Sequence, residues 1–204
     1  MSKIVEALDN IEIRKFNNRK LVISTKQGTP LRIQFPRMYM PFGVSGFTPE
    51  VGPTKYNIDF ALKGHDEENN YIQTFYKHIK ELEDKIVDEV YNQSNEIFGK
   101  EISKVELMAM FNSNIKETVG REPKFRVKVD TDHNDAIKAN IFNANKQLIN
   151  DEIVTNGLYA RNSGHAIVEV NSVYFLNKKF GCTWKLNQLV VYEPQNLKGF
   201  QFIL

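Results

Sequence analysis

The chain has 204 residues, with 27 Lys and Arg against 25 Asp and Glu and a formal net charge of +2. Hydrophobic residues make up 41% and charged residues 25%, the balance of a globular chain and not of a disordered one. A mean hydropathy of −0.43, with no apolar run approaching about 18 residues, excludes a membrane-spanning helix from this reading.

The near-neutral total hides a division along the chain. Residues 1–64 carry ten basic and five acidic residues, 65–123 carry seven and thirteen, and 124–204 carry ten and seven. Two basic ends flank an acidic middle, the pattern of a polarised molecule. The one cysteine, Cys182, permits no intrachain disulfide, and the opening MSKIVEALDNIEIRK lacks the apolar core of a secretory signal. An intracellular, reduced protein is expected.

The first basic part reads as strands. Ile11 and Ile13 open a short alternating stretch, and Leu21–Ile23 lead to a turn at Gly28-Thr29-Pro30. Leu31, Ile33 and Phe35 alternate with Arg32 and Gln34. From Pro36 to Pro53, four prolines and three glycines rule out a helix and predict an irregular loop or edge strand. Tyr56, Ile58, Phe60 and Leu62 then alternate with Lys55, Asn57, Asp59 and Ala61.

The acidic middle has helical spacing. Ile72, Phe75, Tyr76, Ile79, Leu82, Ile86, Val90 and Tyr91 form one apolar face between Tyr71 and Phe98, a stretch free of Gly and Pro. Glu81, Glu83, Asp84, Lys85 and Asp88 fall on the charged face. Asn69 or Asn70 suits the N-cap and Gly99 the stop. A second helix is predicted over Ser103–Phe111, where Ser103 and Glu106 fit a capping box.

Strand patterning returns in the last part. Phe125, Val127 and Val129 alternate with Lys124, Arg126 and Lys128, and Ile137–Phe142 follow. Gly157 and Gly164 are read as bracketing a mobile loop. His165–Leu176 and Cys182–Tyr192 read as a hairpin joined by Asn177–Gly181. Strands, a helical block, then strands predict a mostly β chain with a helical insertion. Its expected form is an OB-fold, a five-stranded Greek-key barrel elaborated with extra strands and a long helix. The expected organisation is one domain over 1–204, with the insertion at 66–122.

Catalytic motifs are missing: there is no P-loop, GxGxxG, HExxH or GxSxG. Asp130–Asp135 resembles a calcium loop but lacks its Gly and its closing Glu, and reads as a polar turn. Cys182 has no motif supplying a base. Asp59 could serve a metal nuclease, but no second carboxylate stands at a supporting spacing. A non-enzymatic protein without cofactor or metal is expected.

What stands out is basic residues interleaved with aromatics on strands. Lys124, Arg126 and Lys128 share a face, and such a row calls for solvation or an anion. Arg32, Arg37, Tyr39, Phe42 and Lys55 form a second group. Tyr174, Lys178, Lys179, Phe180 and Lys185, with Trp184, form a third. Basic grooves with aromatic platforms hold single-stranded nucleic acid. Phe60, Phe125 and Trp184 suit a core; Tyr39, Phe42 and Phe180 lie in loop-like segments and suit stacking.

Several segments carry a resemblance. They are Pro36–Val44, Tyr56-Asn57-Ile58-Asp59-Phe60, Asn95–Lys100, Pro123–Val129 and, above all, Val173–Leu186. In this order and spacing the chain, from Leu31 to Phe202, resembles the single-stranded DNA-binding proteins of nucleocytoplasmic large DNA viruses, of asfarvirus and giant-virus type. These are more distantly similar to podophage OB-fold single-stranded DNA-binding proteins. The resemblance implies an OB-fold core and sequence-tolerant binding of single-stranded DNA. It also implies a role in viral replication, recombination or repair within the infected host cell, alongside other replication proteins.

The podophage relatives end in an acidic tail, whereas this chain ends Leu197-Lys-Gly-Phe-Gln-Phe-Ile-Leu204. A terminal strand packed on the barrel or on another subunit, as in a homo-oligomer, is the alternative reading. RNA fits the same chemistry as DNA. A viral scaffolding protein using an OB-like fold for protein contacts is the rival function.

Overall fold

The computed structural model describes residues 4–149 and 153–194. The terminal strand expected over 197–204 lies outside the described residues. In chain order the elements are α1 (Ile4–Asn10), β1 (Ile11–Ile13), β2 (Lys20–Thr25), β3 (Leu31–Gln34), β4 (Met38–Met40), β5 (Val44–Phe47) and β6 (Lys55–Ala61). Three helices follow, α2 (Tyr71–Asn92), α3 (Ser94–Phe98) and α4 (Lys104–Met110). The chain closes with β7 (Ile115–Thr118), β8 (Arg121–Val129), β9 (Asn140–Phe142), β10 (Asn162–Leu176) and β11 (Lys179–Tyr192).

The described strands join into a mixed sheet of eleven, along the path β1-β2-β10-β11-β8-β6-β5. Most pairs are antiparallel; β11 runs parallel to β8 and β9. This is larger than a bare five-stranded Greek key, and the reason is strand length. β10 has 15 residues and β11 has 14, well beyond the usual five or six. One edge of β10 therefore accepts β2, β3 and β4 in succession. Register shifts after Ile167 and Val170 mark bulges that bend the strand as it passes them.

Period-2 patterning fixes which side chains face inward. In β8, Phe125, Val127 and Val129 are buried while Lys124, Arg126 and Lys128 are half-buried. Phe35, just past β3, is fully buried and meets the rings of Phe60, Phe75, Phe125 and Trp184. Of the two forms expected for the Pro-rich stretch, it takes the edge strand. It contains β4 and β5, with Met38 and Met40 buried and Tyr39 exposed.

The long helix predicted over Tyr71–Phe98 is two. Asn70 caps α2 by accepting from the Ile72 N–H at 2.9 Å, and Gly99, at φ 72°, ends α3 in the left-handed region. Between them Gln93 leaves helical geometry. Its side chain accepts from the Phe16 N–H at 2.7 Å and donates to Glu89 Oε1 at 2.6 Å, tying the helix end to the β1–β2 connection. The helical stretch expected over 66–122 contains helices only to Met110; the chain is back in the sheet at Ile115. Tyr91 stands exposed, and Glu83, expected on the solvated face, is buried. Its Oε1 accepts from Ser113 Oγ at 2.7 Å.

Two loop expectations also change. Gly164 sits inside β10 and does not close a loop; a Cβ there would lie 2.9 Å from the Val190 carbonyl oxygen. The β10–β11 hairpin closes through only two residues, Asn177 and Lys178, at φ 50° and 58°. Positive φ at both central positions is the type I′ arrangement that matches strand twist. Phe180 and Gly181 therefore belong to β11, and Phe180 is fully buried against Phe111 and Phe175.

Lys178 carries a Cβ in a backbone region that costs about 1 kcal/mol. Lys178→Gly should raise the melting temperature by a few degrees, as read by thermal denaturation. Burial raises the Glu83 carboxyl above its ordinary value of 4.5, partly offset by the Ser113 hydrogen bond. Folding thus favours the protonated form. That stability is fully present below the ordinary value and is lost as pH rises through the raised one. Glu83→Gln should therefore raise the melting temperature at pH 7–8 and change it little at pH 4.

Candidate nucleic-acid interface

The outer face of the sheet, opposite the Phe35 core, collects the polar residues of five strands. Register places Asn57 of β6 opposite Lys128 of β8, Asp59 opposite Arg126, and Ala61 opposite Lys124. β11 runs beside β8 with Lys185 opposite Lys128, and Glu169 of β10 pairs with Lys185 and with Arg32 of β3. Arg32, Glu169, Lys185, Lys128 and Asn57 thus form one row across five strands, about 19 Å at the usual strand spacing. The column Lys124–Arg126–Lys128 crosses it.

Like charges this close require counter-charge, and the face supplies it sparingly. Asp59 is only 3% exposed. Arg126 donates to it bidentately, Nε to Oδ1 at 2.8 Å and Nη2 to Oδ2 at 2.9 Å, and this pairing raises the guanidinium pKa further. Lys124 Nζ lies 3.9 Å from Asp59 Oδ2 and 4.6 Å from the centroid of the Phe42 ring, a cation–π contact. Asp130 bridges Lys128 Nζ at 2.5 Å and Lys185 Nζ at 3.2 Å. Burial opposes ionisation of Asp130, but hydrogen bonds from Lys128 and Lys185 outweigh it and hold its carboxyl below the ordinary range. Arg32 Nε meets Glu169 Oε2 at 2.9 Å.

The segment leaving α4 completes the site. The Asn112 N–H donates to the Phe180 carbonyl at 2.7 Å, docking this segment on β11. Gly181 allows the approach, since a Cβ would lie 2.7 Å from the Asn112 carbonyl oxygen. Asn112 Nδ2 donates to the Tyr174 hydroxyl at 2.9 Å, and Asn114 Nδ2 to the Arg126 carbonyl at 2.8 Å. Lys116 Nζ donates to Asn112 Oδ1 at 3.1 Å and to the Ser113 carbonyl at 2.5 Å. Burial, then the charge of Arg126, lowers the Lys116 pKa; Lys179 adds a smaller push the same way.

The result is an open groove of about 330 Å³. Lys55, Lys116, Arg126, Lys128, Tyr174 and three asparagines, 57, 112 and 114, line it, with Thr183 and the Cys182–Trp184 strand beneath. Residues from all three sequence clusters therefore meet. Lys124 and Phe42 stand at the end of the β8 column, Lys185 joins through Asp130, and Arg32 lies at the far end of the row. Lys179 opens β11 next to the hairpin turn, outside the groove lining but near enough for its charge to act on Lys116, and Lys178 is in the turn itself.

Arg37 and Tyr39 lie elsewhere: Arg37 Nε donates to Ser163 Oγ at 2.7 Å, with its guanidinium 4.2 Å over the Tyr192 ring. Phe180 is the clear correction, because a fully buried ring offers no face to a base. Sequence reading missed Lys116 and the asparagines. Lys116 was counted within the acidic helical stretch, and Ile115–Thr118 is too short for its alternation to register.

The rival chemistries find less here. Both Asp59 oxygens are taken by Arg126, and among the described residues no cluster of His, Cys, Asp and Glu could hold a metal ion. Burial, reinforced by Glu83, pushes the Cys182 thiol far above its ordinary range, so it stays protonated. Among the described residues no helix is long and apolar enough to cross a membrane.

The chain's fold is similar to that of gp2.5, a single-stranded DNA-binding protein encoded by bacteriophage T7. The TM-score is 0.50 at 12% identity, over 85% of this chain and 92% of that one. The single-stranded DNA-binding protein of bacteriophage Enc34, in complex with single-stranded DNA, aligns with a TM-score of 0.48 at 12% identity, over 93% and 98% of the two chains. A second Enc34 structure aligns at 0.43 and 11% identity, over 93% of each chain. No curated protein matches in sequence. Residues 62–201 match the model of a family of unknown function, DUF5871, and the chain belongs to that family.

Proposed function

We propose that this protein binds single-stranded DNA with little sequence preference, as a non-enzymatic protein of viral DNA replication, recombination or repair. One observation carries the reading: four cations and Tyr174 converge on a single open groove. Lysine and arginine there would track the phosphates, and Tyr174, oriented by Asn112, would stack a base. The fold shared with T7 gp2.5 supports the reading, as does the resemblance to the single-stranded DNA-binding proteins of large DNA viruses. On this reading the chain is one domain with an OB-fold core, working in the infected cell. Arg32, Lys55, Lys116, Lys124, Arg126, Lys128, Lys179 and Lys185 form its basic track.

Fluorescence titration with oligo-dT at several salt concentrations tests this. Each phosphate neutralised on a single strand contributes about −0.7 to the slope of log affinity against log salt, so four groove cations predict about −3. Lys124→Glu with Lys128→Glu should abolish binding and leave the oligomeric state unchanged. Tyr174→Ala should cost about 1–3 kcal/mol. No binding at low salt would sink the proposal, and a matched RNA strand in competition reports the sugar preference.

Asp59 separates positioning from bulk charge. Asp59→Asn adds one positive charge to the face, which alone predicts tighter binding. The bidentate brace on Arg126 predicts the reverse. We expect several-fold weaker binding in Asp59→Asn, and no further loss from it in an Arg126→Gln background. Tighter binding would show that the brace does not matter.

A further inference from the structure

We infer a second nucleotide-binding subsite at the start of α2, walled by Arg37, Tyr39, Lys63 and Tyr71, which takes the strand onward from the groove. The inference rests on the single-stranded DNA reading above. The β8 column ends at Lys124, whose ammonium covers one side of the Phe42 ring at 4.6 Å from its centroid. Lys124 pairs with Ala61, and the chain runs on through the buried Leu62 to the exposed Lys63. Ala61 and Lys63 line a separate cavity of about 270 Å³. Lys124 and Phe42 therefore stand between groove and cavity.

The cavity's composition repeats that of the groove. Tyr39 is 46% exposed and Tyr71 61%, two large aromatic side chains open to solvent beside two cations. Arg37 is held by Ser163 Oγ and the Tyr192 ring, and the Tyr71 hydroxyl donates to the Arg37 carbonyl oxygen at 3.2 Å. The one acid on the wall, Glu67, accepts from Asn70 Nδ2 at 2.9 Å, and no ion pair joins it to Lys63 among the described residues. Flat tyrosines beside a held arginine and an exposed lysine suit a base beside its phosphate. Strand β6 covers about 13 Å from Asn57 in the groove to Ala61, and Lys63 follows in the turn just beyond, so the second cavity lies within reach of one strand crossing the groove.

The test is a ladder of oligo-dT from about four to about twelve nucleotides, a range drawn from known OB-fold site sizes. Affinity is read by fluorescence anisotropy at fixed salt. The native chain should bind short oligomers through the groove and gain affinity once the strand reaches the second subsite. Tyr71→Ala should match the native chain on short oligomers and lose about tenfold on long ones, the effect of one lost stacked base. Lys63→Glu, which removes a phosphate contact and adds repulsion, should show the same length dependence.

Tyr71→Phe keeps the ring and should keep most of the gain, which separates stacking from a folding defect. Variants that match the native chain at every length overturn the subsite. Equal losses at every length overturn it too, because they would place these residues in the groove itself. Failure of the native chain to bind any oligomer would instead remove the groove reading on which the subsite rests.

Discussion

The Phe35 ring is the point on which the outer face depends. It is fully buried and meets Phe75 at 4.8 Å, Phe125 at 5.2 Å, Phe60 at 5.7 Å and Trp184 at 6.2 Å between centroids. Those rings come from α2, β8, β6 and β11. Three of the contacts are edge-to-face, the arrangement that aromatic quadrupoles favour. Because strand side chains alternate, fixing Phe60, Phe125 and Trp184 inward fixes Asp59, Lys124, Arg126 and Lys185 outward. A slip of one residue in any of these strands would bury charge and expose an aromatic ring. The groove is thus the obverse of the core, and the Phe35 N–H, donating to the Ala166 carbonyl at 2.8 Å, ties that core to β10.

The same geometry explains how the chain holds opposite charges apart. α2 lies against the inner side of the sheet through Phe75, so core side chains separate its acidic face from the groove. Two of its five acids pair with nearby cations: Glu81 with Lys85 at 3.5 Å and Asp88 with Lys104. Glu117 of β7 meets Lys80 at 3.7 Å. Such exposed pairs contribute little to stability. Their consequence is a helix layer that offsets part of its acidity locally and stays net acidic on the side of the sheet away from the groove. Glu83 takes a neutral partner instead, reaching through Ser113 toward the segment that carries Lys116.

Much of this was legible in the sequence because alternation and helical spacing are local signals. β3, β6 and β8 follow the period-2 runs, and Asn70, Ser103 and Gly99 cap helices where their chemistry says they should. The failures arose where strand pairing, turn geometry or a remote contact, and not periodicity, decided the outcome. Gln93 breaks a helix that has no internal reason to break, because Phe16 supplies a donor 77 residues away. Phe180 read as a loop residue because a five-residue loop is the simplest reading of Asn177–Gly181. A type I′ turn closes in two and drives Phe180 into the core. Lys116 could be assigned only once β7 was seen pairing with β8. Strand register, which composition cannot encode, decides whether basic residues scatter or converge.

The convergence leaves an imbalance that bears on function. Arg126, Lys128, Lys185 and Arg32 are each braced by a carboxylate, which fixes their positions but spends part of their charge. Lys55 and Lys116 have no ion pair among the described residues, and the partners of Lys116 are neutral oxygens. Its lowered pKa says that the protonated form is disfavoured where it sits, by burial and by Arg126. Solvent relieves such a charge poorly in a half-enclosed groove. A phosphate relieves it well, because it offsets Arg126 and supplies the acceptor that burial removed. The braced cations would hold a backbone in register and the unbraced ones would supply the drive to bind it. Both follow from placing three carboxylates, Asp59, Asp130 and Glu169, on a face that carries seven cations: Arg32, Lys55, Lys116, Lys124, Arg126, Lys128 and Lys185.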